Sequence, residues 1–497
     1  MSTETNSQIN TATGGDTGLK AGSIGTAGIV FFVVAAAAPL AATLGAGPVV
    51  FIFGGAGAPA MYLIASLALL LFAFGFAAMS RYVTNAGGFA AFVSWGLGRH
   101  AGYAAAGVAL LAYFGMFIGI SAQFATFMSD IAARFFGFDL PWQIAFIVGA
   151  LIIGLLGYRD VKVSAVLLGI MLVLEVLILL VFDFGVLFQG GAEGVNLDSF
   201  TPHHIFSPTM GLALLFAFSC FVGFEATTLY GEEARTPKKT VPRATYIAVI
   251  VIGVTYTLTM WSLSIAYGTD SVQQAAMDDP VSFVLDATTR YLGPWMTVVM
   301  EVLVITSLLA VLLSFQNTLS RYVFSLGRAG FLSKRLGVTH PRHRSPSRAS
   351  LVVTAIALIV AVIFMLTGAD PFSVLFMWMI GIGTLGVLGL QTAGAAAVVA
   401  FFRRHPKPVG WWKSLIAPLI GGVMLLVAVV LAVTNFGELI GASGPVTVLL
   451  PALYLVSIAV GLIVGATRRV DDLRTEHLPE DPDAVDAQPS TQTPERN

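Results

Sequence analysis

Long apolar runs recur along the whole chain, and they decide the solvent in which it folds. A helix needs about 20 mostly apolar residues to cross the hydrocarbon core of a bilayer. Runs of about this length follow one another, separated by short polar breaks, through most of the 497 residues. Only 11% of the residues are charged, well below the roughly 25% of soluble domains. The sequence therefore predicts an all-α membrane protein.

Apolar length and the breaks between runs predict twelve transmembrane helices. They cover residues 25–53, 57–79, 101–129, 141–158, 163–188, 207–230, 242–267, 292–319, 349–367, 371–402, 414–435 and 445–467. Between the second and third spans, residues 81–100 are predicted to form an amphipathic interfacial helix. We expect one transmembrane domain over residues 24–467, with disordered tails at 1–23 and 468–497. The first tail has no basic segment before a short apolar core, so no cleaved signal peptide is expected.

Lysine and arginine are distributed very unevenly between the loops on the two sides. The loops after even-numbered spans hold Arg81, Arg99, Arg159, Lys162, Arg235, Lys238, Lys239, Arg243, Arg321, Arg328, Lys334, Arg335, Arg342, Arg344, Arg348, Arg403, Arg404, Lys407 and Lys413. The opposite loops hold only Arg134 and Arg290. Because basic loops stay on the cytoplasmic side, both termini are predicted to be cytoplasmic in a multi-pass protein of the cytoplasmic membrane.

Twelve spans without a soluble domain favour transport over catalysis. The sequence has no HExxH, phosphate-binding loop or GxSxG motif, and His203-His204 is interpreted as surface histidine. Cys220 is the only cysteine, so an intramolecular disulfide is impossible. We expect no metal, no cofactor and no nucleic-acid partner. The expected partners are a small-molecule substrate, a coupling ion and the lipid bilayer.

Two predicted spans contain residues that interrupt a helix. The first reads "VFFVVAAAAPLAATLGAGPVVFIF" and includes Pro39, Gly45, Gly47 and Pro48. The sixth carries Ser219, Gly223 and Glu225. Interrupted helices at corresponding places in two halves of a transporter indicate a substrate site near the bilayer midplane. A plain proline kink is the alternative for the first span.

Three stretches resemble the amino acid–polyamine–organocation (APC) permeases. They are "FVGFEATTLYGEEARTPKKTVPRA" in the sixth span and its loop, "NTLSRYVFSLGRAGFLSKRLGVTHPRHRSPSRAS" after the eighth span, and "NAGGFAAFVSWGLGRHAG" before the third. The resemblance implies a LeuT-like inverted repeat of five plus five helices with broken helices 1 and 6, followed by two appended helices. It also implies a secondary transporter that moves amino acids by alternating access.

The first-span break departs from the family pattern. It lacks the Gly-Ser-Gly-like run of many members and is closer to the proline-bearing branch that includes putrescine importers. A polyamine or organic amine importer is therefore the alternative within transport. A transporter-like sensor and an ion channel are the alternatives from other classes.

The two breaks supply the expected substrate site. The residues expected to bind substrate are Pro39, Leu40, Ala41, Ala42, Thr43, Gly45, Gly47, Tyr113, Phe216, Ser219, Phe221, Gly223 and Trp378, with Gln123 as a further pocket residue. Amides at the first break would hold a carboxylate, and carbonyls near residues 216–219 would hold an amine.

Three acids within predicted spans are the candidates for coupling or gating: Glu175, Glu225 and Glu301. An ionisable residue at membrane depth is costly and indicates function. The resemblance matches Glu225 to a glutamate linked to gating and protons in arginine/agmatine antiporters. Glu175 could instead pair with a neighbouring helix, and Glu301 could reach the interface or a substrate amine. Protons or exchange are favoured over sodium, for which Thr306 and Ser307 are possible ligands.

Overall fold

The computed structural model describes residues 25–83, 88–159, 165–228, 236–340, 345–439 and 444–467, and every regular element in these ranges is helical. The predicted tails at 1–23 and 468–497 lie outside the described residues. Residues 229–235, at the end of the sixth predicted span and the start of its polar loop, also lie outside them.

The described residues of the first half of the chain form nine α-helices. They are α1 (Thr26–Ala37), α2 (Pro39–Gly54), α3 (Ala58–Met79), α4 (Gly88–Leu97), α5 (Arg99–Phe136), α6 (Trp142–Tyr158), α7 (Ala165–Gln189), α8 (Pro202–Ile205) and α9 (Met210–Ser219). A short 3₁₀ turn, Phe224–Thr228, follows α9. The two long helices of this half, α5 and α7, both contact helices of the second half.

The second half forms the remaining helices. They are α10 (Pro237–Tyr267), α11 (Val272–Asp278), α12 (Phe283–Leu292), α13 (Pro294–Arg328), α14 (Ser347–Leu366), α15 (Met377–Arg404), α16 (Ala417–Thr434), α17 (Phe436–Leu439) and α18 (Val446–Thr467). Single π-helical turns, Pro371–Phe376 and Trp412–Ile416, lead into α15 and α16. Helix α5 packs on α15 and α18, and α10 packs on α3 and α7.

Nine helical stretches within the described ranges are long and apolar enough to cross a membrane. Three further apolar helices are shorter: Gly88–Leu97, Trp142–Tyr158 and Met210–Ser219. Each of the twelve predicted spans overlaps a helix or a pair of helices. The count of twelve spans and the inverted repeat remain predictions.

Helix α4 is not the amphipathic surface helix predicted from the sequence. Its residues from Phe89 to Ser94 are all buried, so protein covers every side of the helix. Phe92 stacks on Phe76 of α3 with ring centroids 4.5 Å apart. At Gly96 a Cβ atom would collide with the Ala397 backbone of α15. The apolar faces on both sides of α4 are therefore explained by packing against its neighbours.

The chain leaves helical geometry at two places that lie beside each other. The first break is Ala38, between α1 and α2, where φ is 45° and ψ is 70°. The second break comprises residues 220–223, between α9 and the 3₁₀ turn, and Gly223 there has a φ of 114°. Helix α2 packs directly on α9. Both the first and the sixth predicted spans are therefore interrupted.

The first break is shorter and lies earlier than the sequence predicts. Gly45, Gly47 and Pro48 all lie inside α2, and Pro39 occupies its first turn, where a missing amide costs nothing. A Cβ atom at Gly45 would collide with the Gln123 side chain, and one at Gly47 would lie 3.0 Å from Met260. These glycines therefore allow close side-chain approach, and they do not break the helix.

Ala38 should carry measurable backbone strain. A positive φ costs a non-glycine residue about 1 kcal/mol or more, and glycine avoids that cost. We expect Ala38→Gly to raise the thermal unfolding midpoint of the detergent-purified protein. Ala37→Gly is the control, because glycine at the end of α1 gains nothing and loses about 0.5–1 kcal/mol. Equal destabilisation by both variants would contradict the strained geometry.

Candidate functional site

A small cavity of about 50 Å³ lies where the two breaks meet. The first break contributes only small side chains to it, and the second contributes Ser219, Cys220 and Val222. Residues of α5, α13 and the start of α15 complete the wall. The lining residues are Ala37, Ala38, Ala41, Ala42, Ala46, Met116, Ile120, Gln123, Ser219, Cys220, Val222, Leu308, Val311, Phe315, Phe376 and Ile380. This volume is enough for a few water molecules, so a larger ligand requires the helices to move apart.

The polar groups of the cavity come from both breaks and from α5. The Gln123 side-chain amide donates to the Ala41 carbonyl across 2.6 Å. The Ser219 hydroxyl donates to the Phe216 carbonyl across 2.6 Å. Gln123 is 4% exposed and Ser219 is 8% exposed. The cavity is thus lined by a few neutral hydrogen-bonding groups and otherwise by apolar side chains.

Three of the residues expected to bind substrate line the cavity: Ala41, Ala42 and Ser219. Gln123, the further pocket residue, also lines it. The others do not: Pro39, Leu40, Thr43, Gly45, Gly47, Tyr113, Phe216, Phe221, Gly223 and Trp378. The residues of the first span lie outside the cavity because the break is at Ala38, earlier in the chain than predicted. The aromatic residues lie outside it because they pack against other side chains.

The aromatic residues in that set pack against partners outside the cavity. Phe216 stacks on Phe53 of α2 with centroids 6.2 Å apart. Phe221 meets Tyr256 of α10 edge-on at 5.9 Å, and Trp378 lies against a phenylalanine of α14. Aromatic density in the sequence therefore did not distinguish pocket residues from packing residues.

Sequence reasoning missed most of the apolar wall. The missed residues are Ala37, Ala38, Ala46, Met116, Ile120, Cys220, Val222, Leu308, Val311, Phe315, Phe376 and Ile380. In an apolar helix, a residue that lines a cavity looks the same as one that packs on a neighbour. The only usable signal was small side chains, the run of alanines before and after residue 38.

Glu225 lies immediately after the second break and is held from two sides. The Tyr113 hydroxyl of α5 donates to its Oε1 across 2.9 Å. The backbone amide of Gly223 donates to its Oε2 across 3.0 Å. Glu225 is 6% exposed. This carboxyl group therefore joins the backbone of the second break to α5.

Glu175 reaches the first break from α7. It accepts a hydrogen bond of 2.8 Å from Ser307 of α13, and the Leu40 backbone amide lies within hydrogen-bonding reach. The neighbouring Ala37 carbonyl accepts a 3.0 Å hydrogen bond from Tyr256. One acid is thus placed beside each break, Glu175 at the first and Glu225 at the second.

A fourth acid, Asp183, falls inside the predicted fifth span, and the sequence reading passed over it. Asp183 is fully buried on α7 and accepts a 3.0 Å hydrogen bond from Thr259 of α10. The Ser262 hydroxyl of α10 lies within hydrogen-bonding reach of the same carboxyl group. Eight residues separate Asp183 from Glu175, about 12 Å along the helix. The signal, a carboxylate in an apolar run, was present in the sequence.

Glu301 does not line the cavity and forms a buried ion pair. It is 1% exposed, and the Arg134 guanidinium lies 2.6 Å from its Oε1. Arg134 also contacts Asp130 at 3.2 Å on its own helix. The ion pair joins α5 to α13 and satisfies the charge locally. A role for Glu301 in reaching the membrane interface or in contacting a substrate amine stays a prediction.

No group of three or more metal-ligating side chains occurs in the part of the chain that the structure describes. The arrangement is a helical membrane bundle with an internal cavity at two helix breaks and acids beside both. This combination defines a membrane transport protein.

The amino acid permease family matches residues 21–462 of the chain. The chain therefore belongs to the amino acid permease family, within the APC superfamily, and it is a transporter rather than an enzyme. This confirms the resemblance found in the three sequence stretches.

Three proteins of similar sequence show the range of substrates that relatives of this chain are named for. The branched-chain amino acid permease of Bacillus subtilis is 25% identical over 77% of this chain and 81% of its own length. The methylthioribose transporter of the same species is 23% identical over 57% of this chain and 56% of its own length. The human cationic amino acid transporter 4 is 24% identical over 41% of this chain and 29% of its own length.

The Tyr113–Glu225 hydrogen bond can be tested by removing one hydroxyl. A hydrogen bond to a carboxylate contributes about 1.5–3 kcal/mol, so Tyr113→Phe should lower the unfolding midpoint in detergent. Tyr322→Phe is the matched control, because the Tyr322 ring lies 6.3 Å from Tyr113 and its buried hydroxyl has no partner among the described residues. If both variants lose the same stability, the hydrogen bond does not hold Glu225.

Proposed function

We propose that this protein is a secondary active transporter that carries neutral, apolar α-amino acids across the cytoplasmic membrane by alternating access. The observation that carries this proposal is the cavity at the two breaks, which is lined by neutral polar groups and apolar side chains. Family membership and the branched-chain relative support the same substrate class.

The membrane arrangement in this proposal has twelve spans, with both termini cytoplasmic. The first ten spans form two inverted repeats of five, and α16 and α18 correspond to the two appended spans. Two features support it: the interruptions in the first and sixth spans and the uneven distribution of lysine and arginine.

The chemistry of the cavity favours an amino acid over a polyamine. None of the residues lining it is acidic, so the described wall offers no counter-charge for a second ammonium group. Burying an ammonium group without such a partner is costly. Met116, Ile120 and Val311 offer dispersion contacts to a branched aliphatic side chain instead. The carboxylate would meet the amino-terminal end of α2, and the amine would meet carbonyls at the end of α9.

Coupling in this proposal uses a proton and the acids beside the breaks. Burying a charged carboxylate at membrane depth costs several kcal/mol, and binding a proton removes that cost. Glu225 is the first candidate because it holds the Gly223 amide, so its protonation and the geometry of the second break are linked. Glu175 has the same relation to the first break, and Asp183 lies farther along α7.

Substrate class is tested by uptake into liposomes that contain the purified protein. We expect labelled leucine to accumulate under an inward proton gradient and to be displaced by excess isoleucine or valine. Putrescine and lysine should not displace it, because each brings an extra positive charge into an uncharged cavity. Uptake of putrescine that leucine does not inhibit would support the amine-importer alternative instead. Currents far above carrier turnover would indicate a channel.

Coupling is tested with Glu225→Gln in the same liposomes. Uptake driven by the proton gradient should fall close to that of protein-free liposomes, while exchange of internal for external substrate without a gradient persists. Glu438→Gln is the control, because Glu438 is exposed on α17. Unchanged gradient-driven uptake with unchanged pH dependence would remove Glu225 from the mechanism. Glu175→Gln and Asp183→Asn would then identify which other acid carries the proton.

A further inference from the structure

A basic pocket lies at one end of the bundle and shares no lining residue with the cavity at the breaks. Its volume is about 530 Å³, and it lies between the end of α3, the start of α10 and the π turn before α16. Four cations line it, and with two aromatic residues they define the basic pocket: Arg81, Lys239, Arg243, Tyr246, Trp412 and Lys413. No acidic residue lines it within the described ranges. Such a concentration of positive charge attracts an anionic ligand.

Aromatic contacts hold the three elements of the basic pocket together. The Phe74 ring of α3 lies 5.1 Å from Tyr246 and 6.2 Å from Trp412. Trp412 is 46% exposed, and its neighbour Trp411 is 78% exposed. Exposed tryptophan beside a basic cluster is typical of the level at which a membrane meets water. The pocket is therefore placed at the depth of lipid headgroups.

Exposed apolar surface begins directly beside the basic pocket and continues along the same helices. On α10 the exposed residues include Ile247, Ile250 and Val254, and on α16 they include Leu419, Ile420 and Val423. Helix α3 packs against both α10 and α16. From Arg243 to Val254 the rise is about 16 Å, roughly half of the hydrocarbon thickness. A ligand with an anionic head and apolar chains of one leaflet fits this surface.

We propose that the basic pocket binds the phosphate group of an anionic phospholipid, with its acyl chains along the exposed faces of α10 and α16. The exposed Lys239, Arg243 and Lys413 supply charge-assisted hydrogen bonds to the phosphate oxygens. The adjoining apolar surface favours a lipid over a soluble phosphate, which has no apolar part to cover it. The proposal concerns the placement of the protein in its membrane, and it does not depend on which substrate is transported.

The test is a titration of the full-length, detergent-purified protein with dioleoyl-phosphatidylglycerol, read by native mass spectrometry. Dioleoyl-phosphatidylcholine is the comparison lipid, since it has the same chains and no net charge. We expect tighter binding of phosphatidylglycerol, weakened about 25-fold in the double variant Lys239→Gln, Arg243→Gln, at roughly fivefold per cation. Lys334→Gln with Arg335→Gln is the matched control, two exposed cations outside the pocket.

Two results would overturn the proposal. Equal loss of phosphatidylglycerol binding in the control pair would show a diffuse surface charge effect. Displacement of the lipid by millimolar inorganic phosphate would identify a site for free phosphate. The double variant Lys239→Arg, Arg243→Lys keeps both charges and should retain lipid binding. It shows that the loss of binding in the glutamine variant comes from the lost charges and not from misfolding. Lipid binding is measured independently of transport. A negative result in the uptake experiment would therefore not affect the conclusion on lipid binding.

Discussion

Backbone groups released at the two helix breaks must find partners inside the protein, because hydrocarbon offers none. At the first break, Tyr256 donates to the Ala37 carbonyl and Glu175 reaches the Leu40 amide. At the second, Glu225 accepts the Gly223 amide. These partners lie on α7, on α10 and in the 3₁₀ turn after the second break, so satisfying the breaks fixes how several helices pack. The same requirement places ionisable groups next to the cavity. Structural need and transport chemistry therefore use the same side chains.

Small residues set how closely the surrounding helices approach. A Cβ atom at Gly115 of α5 would lie 3.0 Å from the Gly383 amide of α15, and one at Gly107 would collide with the α18 backbone. Such close approach increases dispersion contacts, which drive helix association in lipid. Gly45 has the same effect beside the cavity, because the missing Cβ atom leaves the space that the Gln123 side chain occupies. The basic pocket reflects a different constraint, because it lies where the helical bundle meets the membrane surface.

The sequence allowed most of the fold to be predicted and less of the site. Positions of the helices followed from apolar length, and Glu225 stood out because a carboxylate in an apolar run is rare. The first break could not be located, since Pro39, Gly45 and Pro48 all weaken a helix locally and only packing decides which position opens. Asp183 shows the opposite case, a residue whose signal was visible and was missed. The apolar cavity wall had no signal, because lining and packing residues share one composition.

By itself the sequence determined that the chain is a helical membrane protein of the amino acid permease family. It did so because hydrophobic length, charge asymmetry and local motifs are properties of contiguous residues. Only the tertiary structure decided that Ala38 is the first break, that Glu175 lies beside it, and that Glu301 is neutralised by Arg134. Each of these depends on a partner far away in the chain. Distances between helices, which set hydrogen bonds and cavities, are fixed by packing and cannot be read from one segment at a time.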